Sequence, residues 1–111
     1  MKPETKFWQD VRKIKSEIRW TRLENLSSLG TPDLLGYNNN GVFFTVELKV
    51  TKSNKITISP HQIAFHITHP NNSFILVKAL LSKEVKLYEG SRIQDLVACG
   101  LKLEPCSLGL E

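Results

Sequence analysis

Apolar and polar positions along this chain recur with two different periods, and the changes of period divide it into elements. Between residues 4 and 19, Phe7, Val11, Ile14 and Ile18 fall at steps of four, three and four, which is one stripe of an α-helix. Pro3 suits the start of that helix, and Lys6, Lys13 and Glu17 lie on its other side, with Arg12 and Arg19 nearby. Arg19 to Glu24 reads as a first strand or an extended connection. A loop, Asn25 to Thr31, leads into Pro32-Asp33-Leu34-Leu35-Gly36; proline favours the first position of a strand, so Asp33 opens a short one. Asn38-Asn39-Asn40-Gly41 is a turn sequence, because Asn and Gly tolerate positive φ. Val42 to Val50 follows as a strand rich in β-branched and aromatic residues, which completes a hairpin.

Within that strand the period of two assigns the faces. Val42, Phe44, Val46, Leu48 and Val50 share one; Phe43, Thr45, Glu47 and Lys49 share the other. Glu47 and Lys49 therefore point the same way, about 7 Å apart by the rise of a strand. Thr51 to Ile58 is a polar loop with a short extended end. Ser59-Pro60-His61-Gln62 has the form of a capping box with proline in the first turn, opening a helix that runs to about Thr68 and stops before Pro70. Phe74 to Ala79 and Val85 to Tyr88 are two further strands. Ser91-Arg92-Ile93-Gln94 repeats the capping pattern, and Gly100 ends the last helix. The order α-β-β-β-α-β-β-α predicts an α/β fold: one mixed β-sheet flanked by helices, in a single domain over residues 1–111.

Composition narrows the class. The chain is 41% hydrophobic over 111 residues, enough for one core, and no run approaches the roughly 20 apolar residues of a membrane span. The opening MKPETKFWQD lacks the apolar segment of a secretory signal, so a cytoplasmic protein is expected. Cys99 and Cys106 form no CxxC pair, which argues against a structural zinc site; Cys99 reads as a buried helix residue. The net charge of +4, with Lys6, Arg12, Lys13, Lys15, Arg19 and Arg22 crowded early, fits either a polyanionic partner or a solvated helix face. His66 and His69 stand three apart, with His61 before them, but no further ligand stands at metal-binding spacing, so all three read as helix-surface residues. Trp8 and Trp20 read as core or dimer-interface residues.

The chemistry lies in Pro32-Asp33, thirteen intervening residues, and then Glu47-Leu48-Lys49. Two carboxylates on neighbouring strands of a hairpin converge on one point. Mg²⁺ or Mn²⁺ prefers such oxygen ligands, and the Leu48 carbonyl adds a third. A cation held there neutralises charge that builds on a phosphate. A lysine two residues past the second acid reaches the same pocket, to orient a water or to stabilise the transition state.

This arrangement resembles the PD-(D/E)XK nuclease superfamily, whose restriction-endonuclease-like core cuts nucleic acid with Mg²⁺ or Mn²⁺. Within it the chain looks most like small Holliday-junction resolvases and phage VRR-NUC-type endonucleases. The resemblance covers roughly residues 4 to 80 and rests on Glu4, Arg22, Gly30-Thr31-Pro32-Asp33, Glu47-Leu48-Lys49 and Gln62. It implies Asp33, Glu47, Lys49 and Gln62 as catalytic residues, and Asp33, Glu47, the Leu48 carbonyl and Glu4 around the metal. Glu17 and Glu24 compete with Glu4 for the supporting role, and the capping box alone already accounts for Gln62. Arg22 would grip a phosphate, with Arg19, Lys52 and Lys55 extending that nucleic-acid-binding surface. The function implied is a DNA endonuclease acting as a homodimer on branched or duplex DNA, with no membrane partner. Alternatives are a phage homing or nicking endonuclease of the same fold, a non-catalytic nucleic-acid-binding module, and a protein-interaction domain.

Overall fold

A computed structural model of the chain describes residues 2–14, 16–23 and 30–106. Among the described residues three α-helices and five strands follow one another as α1 (Pro3–Lys13), β1 (Arg19–Arg22), β2 (Leu34–Tyr37), β3 (Phe43–Thr51), α2 (Pro60–Thr68), β4 (Ser73–Ala79), β5 (Val85–Glu89) and α3 (Ile93–Cys99). The predicted element order is the observed one. All five strands form a single mixed sheet in the order β1-β2-β3-β4-β5. β1, β2 and β3 run antiparallel, β3 and β4 pair in parallel across the α2 crossover, and β5 returns antiparallel to β4. Among the described residues no helix is long and apolar enough to cross a membrane.

The alternation read in β3 sets up the layers. Its Phe44, Val46 and Leu48 pack with Leu34 of β2 and with Phe7 and Val11 of α1, forming one core, against which Trp8, Trp20, Phe74 and Leu76 also lie. The opposite face of β4, Ile75, Val77 and Ala79, packs with Ile56, Ile58, Tyr88, Ile93, Leu96 and Leu101 into a second core beneath α2 and α3. The sheet is thus covered by α1 on one side and by α2 and α3 on the other. Each core buries aliphatic area worth about 25 cal/mol per Å².

The structure corrects several expectations. α1 stops at Lys13 rather than continuing to residue 19: Ile14 takes an extended conformation and is 66% exposed. The Ser16 hydroxyl accepts the Ile18 N–H, a local bond that competes with helix, and Ile18 reaches the α1-side core from extended chain instead. β3 begins at Phe43, leaving Val42 in the turn, where Asn38 Oδ1 accepts from the N–H groups of Asn40 and Val42 and only Gly41 takes positive φ. The last helix has no Ser91 capping box. Arg92 occupies the cap position and pairs with Asp95 at 2.8 Å, a frame one residue later than the sequence signature. Cys99 is exposed on α3, because Ile93 and Leu96 define the helix's buried face, and Cys99 and Cys106 are not joined in a disulfide.

Candidate active site

The hairpin register brings the two acids together. Leu34 pairs with Val46, so one step further Asp33 stands opposite Glu47 on the face turned away from α1. Asp33 is fixed at both ends: its carbonyl accepts from Leu23 N–H at 2.8 Å, and its Oδ2 accepts from Leu48 N–H at 2.8 Å. The second bond ties one acid to the residue between the other acid and the lysine. In extended backbone the N–H and C=O of one residue project to the same edge, so the Leu48 carbonyl lies on the Asp33 side of β3. Asp33 itself precedes the first residue of β2 by one position.

The loop leading to Asp33 is seated on α2. Gly30 has φ +83°, and a Cβ there would come within 2.3 Å of the His61 carbonyl oxygen. Only glycine accepts both that conformation and that closeness, which gives the Gly30-Thr31-Pro32-Asp33 sequence a physical reason.

Glu47 is 2% exposed, and its two oxygens are treated differently. Oε2 accepts from Gln62 Nε2 at 3.1 Å, whereas Oε1 is buried and meets no donor. Desolvation first, then a hydrogen bond with Asp33 and the charge of Asp33, push the Glu47 carboxyl up to about 9; Lys49 pulls the other way and Glu4 adds to the rise. Burial and the facing Asp33 thus both favour the protonated form of Glu47. Glu4 belongs to the same electrostatic cluster. As a residue it is exposed, but its carboxyl is partly desolvated and therefore raised, with Lys49 lowering it and Asp33 raising it.

Gln62 connects the acid to the amine. Its Oε1 accepts from Lys49 Nζ at 3.0 Å and from Ser59 N–H at 3.1 Å, while its Nε2 donates to Glu47. Ser59 Oγ in turn accepts from Gln62 N–H at 3.2 Å, so the expected capping box is present. The two readings of Gln62 are not alternatives. One side chain caps α2 and holds Glu47 and Lys49.

Chemically the residues present fit a hard divalent cation. The unpartnered Glu47 oxygen, the Asp33 carboxylate and the Leu48 carbonyl are all oxygen donors, and a buried oxygen without a partner is what a cation would satisfy. Among the described residues no three His, Cys, Asp or Glu side chains form a metal shell by themselves. A cation here would thus complete its shell with the carbonyl, water or substrate oxygens, as Mg²⁺ commonly does.

The other candidates separate. Glu17 is exposed beyond the end of α1, and Glu24 lies outside the described residues. Arg19, Arg22, Lys52 and Lys55 are all exposed but do not form one patch. Arg22 shares a cross-strand row with Leu34 and Val46, hence the α1 side, whereas Arg19 pairs with Tyr37 on the Asp33–Glu47 side near the hairpin turn. Lys52 and Lys55 follow the far end of β3. His61 and His69 are on the surface as expected; His66 is not.

His66 is 1% exposed and hydrogen-bonded through Nδ1 to the Ser73 hydroxyl, and burial, with His69 and Lys49 nearby, lowers its pKa to about 4. Its burial was legible in the spacing of Ser59, Gln62, Ile63 and His66, which is the sheet-facing stripe of α2. Ser59 and Gly30 are the contributors that reasoning from charged groups passes over. A comparison with the patterns of known protein families finds no match to this chain, and a comparison with curated proteins finds none either.

Proposed function

We propose that the chain is a metal-dependent endodeoxyribonuclease of the PD-(D/E)XK type, with a restriction-endonuclease-like core, acting in the cytoplasm. The observation that carries this reading is the buried Glu47 carboxyl. It faces Asp33, with one oxygen unpartnered, where the Leu48 backbone and the Lys49 amine also meet.

Asp33, Glu47 and the Leu48 carbonyl would hold Mg²⁺ or Mn²⁺, and such an ion supplies Lewis-acid polarisation of the scissile phosphodiester. The protein's own residues do the rest. Asp33 keeps its carboxylate aimed by accepting the Leu48 N–H. Glu47, whose burial favours the protonated form, would release that proton in order to serve as an anionic ligand to such an ion. Lys49 is held by the same Gln62 side chain that holds Glu47, which places its amine to orient the attacking water and stabilise charge on the phosphate oxygens. Glu4 tunes this cluster from the start of α1. Arg19, Arg22, Lys52 and Lys55 supply exposed cations on the sheet's two ends for the phosphate backbone. A two-fold homodimer would double the DNA contact surface and match a branched substrate with two-fold symmetry.

The test is cleavage of a four-way junction, a linear duplex and a single strand with Mg²⁺ or with EDTA. Metal-dependent cutting is expected, with the junction preferred. Asp33→Asn and Glu47→Gln should abolish it while DNA binding survives. Cutting by either variant at the wild-type rate would refute the assignment, and no cutting of any DNA would refute the function.

A further inference from the structure

On the same face as Glu47, towards the hairpin turn, the sheet carries an aromatic row. Arg19 of β1 stands opposite Tyr37 of β2, and Tyr37 opposite Phe43 of β3. Directly opposed residues project to one side of a sheet, so the three side chains form one line across three strands. The Tyr37 and Phe43 ring centroids are 4.5 Å apart, and Phe43 is 59% exposed. Phe43, but not Tyr37, lines a cleft of about 190 Å³ that is also lined by Phe65 of α2 and by His69 just past its end, stacked on each other at 4.1 Å with an interplanar angle of 15°.

The cleft's chemistry is specific. His69 Nδ1 lies 2.9 Å from the Phe65 carbonyl oxygen and 3.0 Å from the Thr68 hydroxyl, contacts that seat the ring against Phe65. Leu35 and Thr45 line the cleft as well, and the Thr45 hydroxyl is buried with no hydrogen-bond partner. Asn72 lies along the same cleft. Aromatic walls, hydrogen-bonding groups at the edges and room for one planar ring system match a nucleobase, while Arg19, two strands away from Phe43 on the same face, is placed for a phosphate further along the strand.

We propose that this cleft is a nucleobase subsite, which takes one unpaired base of the strand whose backbone lies at Asp33, Glu47 and Lys49. Phe43 and Glu47 are four residues apart on β3, about 13 Å along the strand, so the held nucleotide lies close to the bond to be cut. The proposal rests on the nuclease reading and narrows its substrate class. A base enters such a cleft only from a nicked, flapped, overhanging or branched structure, or after leaving its stack. A fully paired linear duplex leaves the cleft empty.

The experiment uses a short single-stranded oligonucleotide containing 2-aminopurine, whose fluorescence falls on stacking, titrated with the full chain in EDTA so that nothing is cut. Quenching on binding is expected. Phe43→Leu and Phe65→Leu, which keep apolar volume and lose the stacking plane, should each weaken single-strand binding about tenfold and restore fluorescence. Their affinity for a fully paired duplex should change less than about twofold. Unchanged quenching and affinity in both variants would overturn the subsite, even for a chain that cleaves DNA. So would sedimentation showing that the substitutions instead disrupt self-association, which would make this face a contact between two copies. Because the readout needs no hydrolysis, a chain that cuts nothing yet shows the expected losses would sink the nuclease reading and leave the subsite standing.

Discussion

Two buried titratable groups, Glu47 and His66, give the metal-free protein opposite dependences on pH. The Glu47 carboxyl is raised in the folded state, so the fold retains a proton that the unfolded chain releases above its ordinary value of 4.5. Its contribution is therefore complete at low pH and is lost as pH rises towards about 9, by as much as about 1.4 kcal/mol per pH unit where the difference is a full proton. In EDTA, Glu47→Gln should thus be the more stable protein at pH 8, because the amide keeps its hydrogen at any pH whereas the wild-type fold must retain a proton that its unfolded chain has released. Urea denaturation measures this, and a wild type whose stability stays flat from pH 6 to 9 would contradict it. His66 behaves oppositely. Its folded value of about 4 lies below 6.5, so its contribution is present above pH 6.5 and is lost as pH falls towards 4, by up to about 3 kcal/mol. The same denaturation series should show that loss, and a ring titration followed by NMR should place the His66 midpoint near 4. A midpoint at 6.5 would mean that His66 is not buried in solution.

The start of α2 is where element formation and chemistry meet. Ser59→Ala removes the hydroxyl that accepts the Gln62 N–H, a cap worth about 1 kcal/mol, and also loosens the side chain that holds Lys49 and Glu47. The expected result is a modest loss of stability with a larger fall in cleavage rate, about tenfold, and a stability loss with an unchanged rate would separate the cap from the site. Gly30→Ala should cost about 2 kcal/mol or more, since φ +83° and the His61 carbonyl both resist a side chain. Thermal unfolding checks it, and a neutral effect would show that this loop is not seated on α2. These local features also show why some elements are legible and others are not. The α2 capping box was readable because both of its bonds fall within four residues, and the faces of β3 because a period of two fixes them. The end of α1 was not. Ile14 and Ile18 keep helical spacing, while a single Ser16 hydroxyl bond and packing of Ile18 from extended chain decide the outcome. The α3 start slipped one residue because Ser-x-x-Gln at 91–94 and the Arg92–Asp95 pair compete for the same turn. The burial of His66 follows from its place on the α2 stripe, but its hydrogen-bond partner Ser73, seven residues away and on another element, was not legible.

At the scale of the molecule, one mixed sheet covered by α1 on one face and by α2 and α3 on the other leaves Asp33, Glu47 and Lys49 on the α2 side, with exposed cations at both ends of the sheet. That distribution predicts DNA binding that weakens steeply with salt, and Arg19→Ala and Lys52→Ala should each reduce the slope of log affinity against log salt by about one phosphate contact. Slopes unchanged in both would place the DNA elsewhere. The proposed nuclease depends on one further property, that the pocket between the two acids is a cation site. The most direct measurement is a calorimetric titration of the wild type with Mn²⁺ at pH 8, repeated with Asp33→Asn and Glu47→Gln. The wild type should bind Mn²⁺ at this pocket and release a proton as it does so, seen as heats that vary with the ionisation enthalpy of the buffer, and both variants should lose that event. Mn²⁺ binding of equal affinity in all three proteins, or none in the wild type, would contradict the metal centre.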